Sequence, residues 1–131
     1  MKWERITIHH SASRDVSVDV IRGWHLKRGF RDVGYHWVVR RDGKLEQGRP
    51  MNKQGAHVRR KNYRNLGICV TGNFEKSSPT EAQYLSLRRL LDFLCFAFRI
   101  PKEKIYLHKN LANTVCPGGC FDRETLFPEL G

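Results

Sequence analysis

Ile6-Thr7-Ile8-His9-His10-Ser11-Ala12 is the stretch on which the fold turns. Residues 5–9 form a short β-branched, apolar run that ends on histidine and then breaks into the polar, turn-like residues 11–15. Such a run reads as a buried strand with a chemically active residue at its C-terminal tip. Ser17 can cap a helix that runs to about residue 28. Its inner face is expected to carry Val20, Ile21 and Trp24, with His25 on the outer, solvated side and Gly29 ending the helix. Residues 34–40 are β-branched and aromatic and read as a strand. Asp42-Gly43 is a hairpin turn leading into residues 44–47. A long basic loop, 52–65, carries His57 and is followed by a further strand over 66–71.

Ser78-Pro79-Thr80-Glu81 has the form of a helix start, with Ser78 as cap, Pro79 in the first turn and Glu81 completing a capping box. That helix is expected to reach about Phe98 and stop before Pro101. Apolar residues cover much of its circumference, which predicts a largely buried helix. Residues 105–107 form a short strand that also ends on a histidine, His108. A loop then carries Cys116, and a short helix follows Asp122. Strands alternating with helices predict an α/β fold, a central mixed β-sheet flanked by helices, as a single domain over 1–131.

The chain of 131 residues, 40% of them apolar, suits one globular domain. Its net charge of +11 favours anionic partners and salt-sensitive binding to an anionic envelope surface. The dense stretch over 59–64 reads as a solvated loop. No apolar run approaches the roughly 20 residues of a membrane span, and the N-terminus lacks the pattern of a secretory signal. The expectation is a protein made in the cytoplasm, a monomer by default, that reaches any target outside the membrane only after release. Cys69 and Cys95 lie in apolar stretches and read as core thiols. Cys116 and Cys120 flank a turn-rich loop, and a cytoplasmic origin argues against a disulfide between them.

Catalytic zinc is held by three protein donors, commonly His nitrogen or Cys thiolate, with a fourth position left open. His9 and His108 stand at the tips of two expected strands, and Cys116 follows His108 by eight residues across a turn-forming loop. A loop of that length can bring thiolate and imidazole to one metal. The spacing is not unique to zinc sites, and satisfied polar groups or a core thiol would read the same way.

The sequence resembles the zinc N-acetylmuramoyl-L-alanine amidases, a family that includes amidase-type phage lysozymes and peptidoglycan recognition proteins. The first matching block is Ile6-Thr7-Ile8-His9-His10-Ser11-Ala12. Others are Asp32-Val33-Gly34-Tyr35-His36-Trp37, Arg41-Asp42-Gly43, Gly48-Arg49-Pro50, Gly55-Ala56-His57, Leu66-Gly67-Ile68 and Thr71-Gly72-Asn73-Phe74. The series closes with His108 and Thr114-Val115-Cys116-Pro117-Gly118. Order and approximate spacing hold over nearly the whole chain.

The resemblance implies a peptidoglycan recognition protein-like fold with Zn2+ held by His9, His108 and Cys116 at the floor of a substrate groove. It makes His9 the ligand of its pair, with His10 turned to the opposite face by strand alternation. It implies hydrolysis of the amide between N-acetylmuramic acid and L-alanine in bacterial peptidoglycan. Tyr35 would stand beside the metal as a donor to the oxyanion. Thr114 occupies a position where some members carry lysine, which suits it to orientation or oxyanion contact rather than to base catalysis. His57 is a candidate to line the groove, Arg49 to meet a peptide carboxylate, and Trp37, on Tyr35's face by alternation, to border the site. His36 is expected to be structural. The resemblance is to a phage or prophage endolysin. Two other readings stand beside it: a protein that binds peptidoglycan without cutting it, and a polymerase- or nucleic-acid-binding regulator. No nucleic-acid motif supports the last.

Overall fold

The computed structural model describes residues 2–130. Five strands form one sheet in the order β3-β2-β4-β1-β5: β1 is Arg5–His10, β2 Trp37–Val39, β3 Leu45–Gln47, β4 Asn65–Val70 and β5 Ile105–Leu107. β1 runs parallel to both β4 and β5, and β2 runs parallel to β4. Only the β2–β3 hairpin around Asp42-Gly43 is antiparallel, so the sheet is mixed. Helix α1 is Val18–Lys27, α2 is Glu81–Phe98 and α3 is Arg123–Leu126.

β1 and β4 are central strands covered on both faces, which suits their apolar, β-branched composition. Ile6, Ile8, Leu66, Ile68 and Val70 pack under Leu87, Leu91 and Leu94 of α2. Val38 and Cys69 face the other way and pack with Val18 and Ile21 of α1, and with Val16 and Val33. Alternation along β1 sends Thr7 and His9 to this second face.

Several local expectations are corrected. In α1 the buried residues are Val18, Ile21 and His25, while Val20 and Trp24 are 37% and 36% exposed. The helix takes this phase because the His25 ring turns inward and its Nδ1 accepts the Gly34 N–H at 2.8 Å. The strand expected over 34–40 is shortened to Trp37–Val39. At Gly34 the chain presses against residue 56 so closely that a Cβ would lie 2.0 Å from the Ala56 carbonyl oxygen. Finally, α2 is buried on one face only: Leu85, Phe93 and Phe96 are exposed.

The start of α2 also lies later than the Ser78 motif suggests. Thr80 is the cap and Gln83 completes the box: Gln83 N–H donates to Thr80 Oγ1 at 3.1 Å and Thr80 N–H donates to Gln83 Oε1 at 3.0 Å. A glutamate could accept from the cap, but a glutamine can also donate. Gln83 Nε2 donates to the Thr71 carbonyl at 2.8 Å, tying the helix to the end of β4, and the residue is only 2% exposed. Replacing Gln83 with Leu leaves that carbonyl unpaired in the interior. The expected outcome is a loss of about 1–3 kcal/mol in urea unfolding, with Gln83→Glu giving a loss of the same order because it cannot donate.

Candidate metal centre

Parallel pairing aligns Ile8 with Leu107, so the residues that follow them, His9 at the tip of β1 and His108 just after β5, stand side by side. Their ring centroids are 4.5 Å apart. The loop after His108 returns Cys116 to the same place: the Lys109 N–H donates to the Cys116 carbonyl at 2.9 Å and the His10 N–H donates to Cys116 Sγ at 3.3 Å. One donor atom each from His9, His108 and Cys116 lies within 4.8 Å of the others, and Cys116 Sγ is 3.9 Å from His9 Nδ1. Metal–nitrogen bonds of ~2.0 Å and metal–sulfur bonds of ~2.3 Å in a tetrahedron imply donor separations of roughly 3.5 Å. The three residues could therefore hold a metal ion after small side-chain adjustments.

Burial tunes every group around this point. It holds His9 well below the usual histidine range, and the neighbouring His57 and His108 act in the same direction. It brings His57 down to about 3 and His25 to about 4, and it lowers His108. These rings are neutral near pH 7, which is the form a metal needs. Burial pushes the Cys116 thiol up to about 11, against the opposing pull of the His10 N–H. The Tyr35 ring lies 5.0 Å from that of His9. Burial, with the neighbouring Cys69 and Cys116, holds its phenol well above the usual range, so it is a neutral hydrogen-bond donor.

The centre opens into a groove of about 790 Å³ whose walls include His25, Phe30, Tyr35, Val58 and Thr114, with Arg28, Arg59 and Arg60 on its rim. The basic stretch expected to be a plain solvated loop thus forms one side of the groove. His25, expected on the solvated side of α1, lines it too. Neither residue sits in a motif that would mark it, since the phase of α1 and the course of the loop are set by packing.

Thr114 lines the groove, and its Oγ1 accepts the Cys116 N–H at 3.3 Å. His57 lies beneath His9, its Nδ1 2.9 Å from His9 Nε2. His10 turns to the opposite face, where its Nδ1 accepts the Phe74 N–H. His36 is buried between the Lys53 carbonyl and the Gly67 N–H. Trp37 is not brought to the groove: it packs against the core under α2. The alternation that would pair it with Tyr35 fails because Tyr35 precedes β2 and is not on its ladder. Arg49 is held away as well, donating to the Val33 and Gln54 carbonyls at 2.8 and 2.7 Å. Cys69 is a core thiol, Cys95 packs half-buried at the edge of the α2 core, and all four cysteines are free. A smaller hollow of about 360 Å³, lined by Ser13, Asp15, Thr71 and Lys76 among others, contains none of His9, His108 and Cys116.

Two histidines and a loop thiol thus meet at the floor of a groove on a mixed α/β sheet, a donor set that could hold a metal ion. The profile of the N-acetylmuramoyl-L-alanine amidase family matches residues 1–119, and the chain belongs to that family of enzymes. It is 36% identical to the endolysin of Enterobacteria phage K11 over 84% of this chain and 77% of that protein. The structure matches that of the N-acetylmuramoyl-L-alanine amidase LysC from Clostridium intestinale with a TM-score of 0.93 and 32% identity, covering 99% of this chain and 86% of the other. It also matches a peptidoglycan recognition protein solved as an LCa–LCx ectodomain complex with tracheal cytotoxin. There the TM-score is 0.87 and the identity 25%, over 98% of this chain and 84% of the other. No described helix is long and apolar enough to cross a membrane.

The depressed histidines make an acid-labile protein. In the unfolded chain each regains a pKa near 6.5 and takes up a proton that the folded ring refuses. Their contribution is therefore complete above about pH 6.5 and is lost as pH falls towards the folded values, about 4 for His25 and about 3 for His57. The unfolding midpoint of the metal-free protein in urea is expected to fall steadily from pH 7 to pH 4. A flat profile over that window would contradict the burial argument.

Proposed function

We propose that the chain is a zinc-dependent N-acetylmuramoyl-L-alanine amidase that hydrolyses the bond between the lactyl group of N-acetylmuramic acid and L-alanine, and that it serves as a phage or prophage endolysin acting on the wall after release. The observation that carries the reading is the convergence of His9, His108 and Cys116 beside Tyr35 at the floor of one groove. The likeness to phage endolysins supports the biological role.

The donor set suits zinc: two neutral imidazoles and a thiolate are borderline to soft ligands, and together they leave a site of net charge +1. Zinc, when bound, supplies a Lewis acid for the scissile carbonyl and an activated water at neutral pH. The Tyr35 phenol, kept protonated by its burial, donates to the oxyanion that develops on the attacked carbonyl. Thr114 orients the amide. Its oxygen already accepts the Cys116 N–H, so its own proton is free for the substrate. Arg28, Arg59 and Arg60 on the rim offer cations to the carboxylates of the peptide stem. The net charge of +11 would hold the protein near an anionic envelope.

Digestion of purified peptidoglycan tests this reading. Release of L-alanine amino groups without new sugar reducing ends, lost with a chelator and restored by zinc, is the expected result. No cleavage by a folded, zinc-loaded protein would sink it in favour of binding without hydrolysis. Tyr35→Phe should lower kcat by about 10²–10³, the usual cost of one oxyanion donor. Metal uptake at pH 7–8 should release about one proton, from Cys116 alone, because the histidines are already neutral. Calorimetric titration in buffers of different ionisation enthalpy reads that number. Zinc affinity should accordingly rise about tenfold per pH unit over this range.

A further inference from the structure

We propose that His57 is a positioning residue: with the Asn65 backbone carbonyl it forms a relay that fixes the tautomer of His9 and aims a nitrogen lone pair at the metal centre. The chain of contacts has only one consistent assignment of protons. A backbone carbonyl can only accept, so His57 Nε2, 2.8 Å from the Asn65 oxygen, carries the hydrogen. In a neutral ring the other nitrogen, Nδ1, then has a lone pair and must accept. His9 Nε2 stands 2.9 Å from it and therefore donates. His9 is left with a bare Nδ1, the atom 3.9 Å from Cys116 Sγ. The other tautomer of His9 would set two lone pairs against each other at His57 and turn an N–H towards the metal position.

The place of His57 is built, not incidental. A Cβ on Gly67 would lie 2.7 Å from the His57 ring, and one on Gly55 would lie 2.8 Å from it. Both glycines are thus required for the ring to lie against the sheet beneath His9. The backbone is held as well: the His57 and Val58 N–H groups both donate to Asn62 Oδ1 at 2.8 Å. The far end of the relay is anchored in β4, where the Asn65 side chain accepts from Thr7 Oγ1 and donates to the Lys61 carbonyl, each at 2.8 Å. His57 therefore spends both ring nitrogens within the protein. Outer partners of this kind set the orientation and basicity of a ligating imidazole.

The inference rests on the zinc reading for its consequence but not for its geometry, and the test separates the two. Nitrogen-15 NMR of the metal-free protein reports which nitrogen of each imidazole is protonated, and His9 is expected in the Nε2–H form. Zinc affinity, measured by competition with a chromophoric chelator, is expected to fall about 10–100-fold in His57→Leu. It should recover in His57→Gln, whose amide nitrogen and oxygen are spaced like the two ring nitrogens and can both donate to Asn65 and accept from His9. A merely structural role would not distinguish the two variants in this way. An Nδ1–H tautomer of His9 in the wild-type protein overturns the relay, as does wild-type zinc affinity in a folded Leu variant. If His57→Leu does not fold, the tautomer and the Gln variant decide the matter: loss of affinity in a folded Gln variant counts against the relay. Failure of the wild-type chain to bind zinc with His9 in the Nε2–H form would overturn the amidase reading and leave the relay standing.

Discussion

Parallel pairing of β1 with β4, in register from Arg5 opposite Asn65 to His10 opposite Val70, is the constraint on which the rest depends. It sorts side chains by parity: Ile6, Ile8, Leu66, Ile68 and Val70 go to the core beneath α2, while His9 and Cys69 go to the groove side. A slip of one residue would bury His9 under α2 and expose isoleucine in the groove. Because β5 also runs parallel to β1, the C-terminal ends of both strands meet on one edge of the sheet. His9 and His108 are neighbours for that reason, and the loop from His108 has only to return Cys116. In open α/β sheets, ligand sites commonly form beyond the carboxyl ends of the strands.

The same burial that makes the sheet stable sets the electrostatics of the centre. Every histidine near it is kept uncharged by desolvation, even in a chain of net charge +11. The positive charge lies instead on the rim, at Arg28, Arg59 and Arg60. Uncharged donors thus lie inside and cations outside, so the groups with the chemistry for a metal are kept apart from those that attract anions. Hydrogen bonds then give the neutral groups direction: the His10 N–H points at Cys116, and the Asn65–His57 chain points at His9.

Much of this was legible in the chain itself. The α/β class and the mixed sheet follow from alternating strands and helices, and the positions of His9 and His108 follow from strand ends. His57 was recognisable as a member of a Gly-Ala-His block but not as a partner of His9, because 47 residues separate them and only the β1–β4 pairing brings them together. Trp37 and Arg49 were drawn to the groove by local pattern. In the fold the first lies on a strand that begins after Tyr35, and the second is consumed by backbone carbonyls. The phase of α1 escaped periodicity because a polar residue, His25, takes the inward position to satisfy the Gly34 N–H.

By itself, then, the sequence determined which residues have the chemistry for a metal and where the chain changes direction, since donor atoms, β-branched runs and turn residues are local properties. Tertiary structure alone decided which donors converge, which ring backs His9 and which arginines border the groove. Those outcomes depend on strand register and on close backbone approaches at Gly34, Gly55 and Gly67, and these distances are set between segments far apart in the chain.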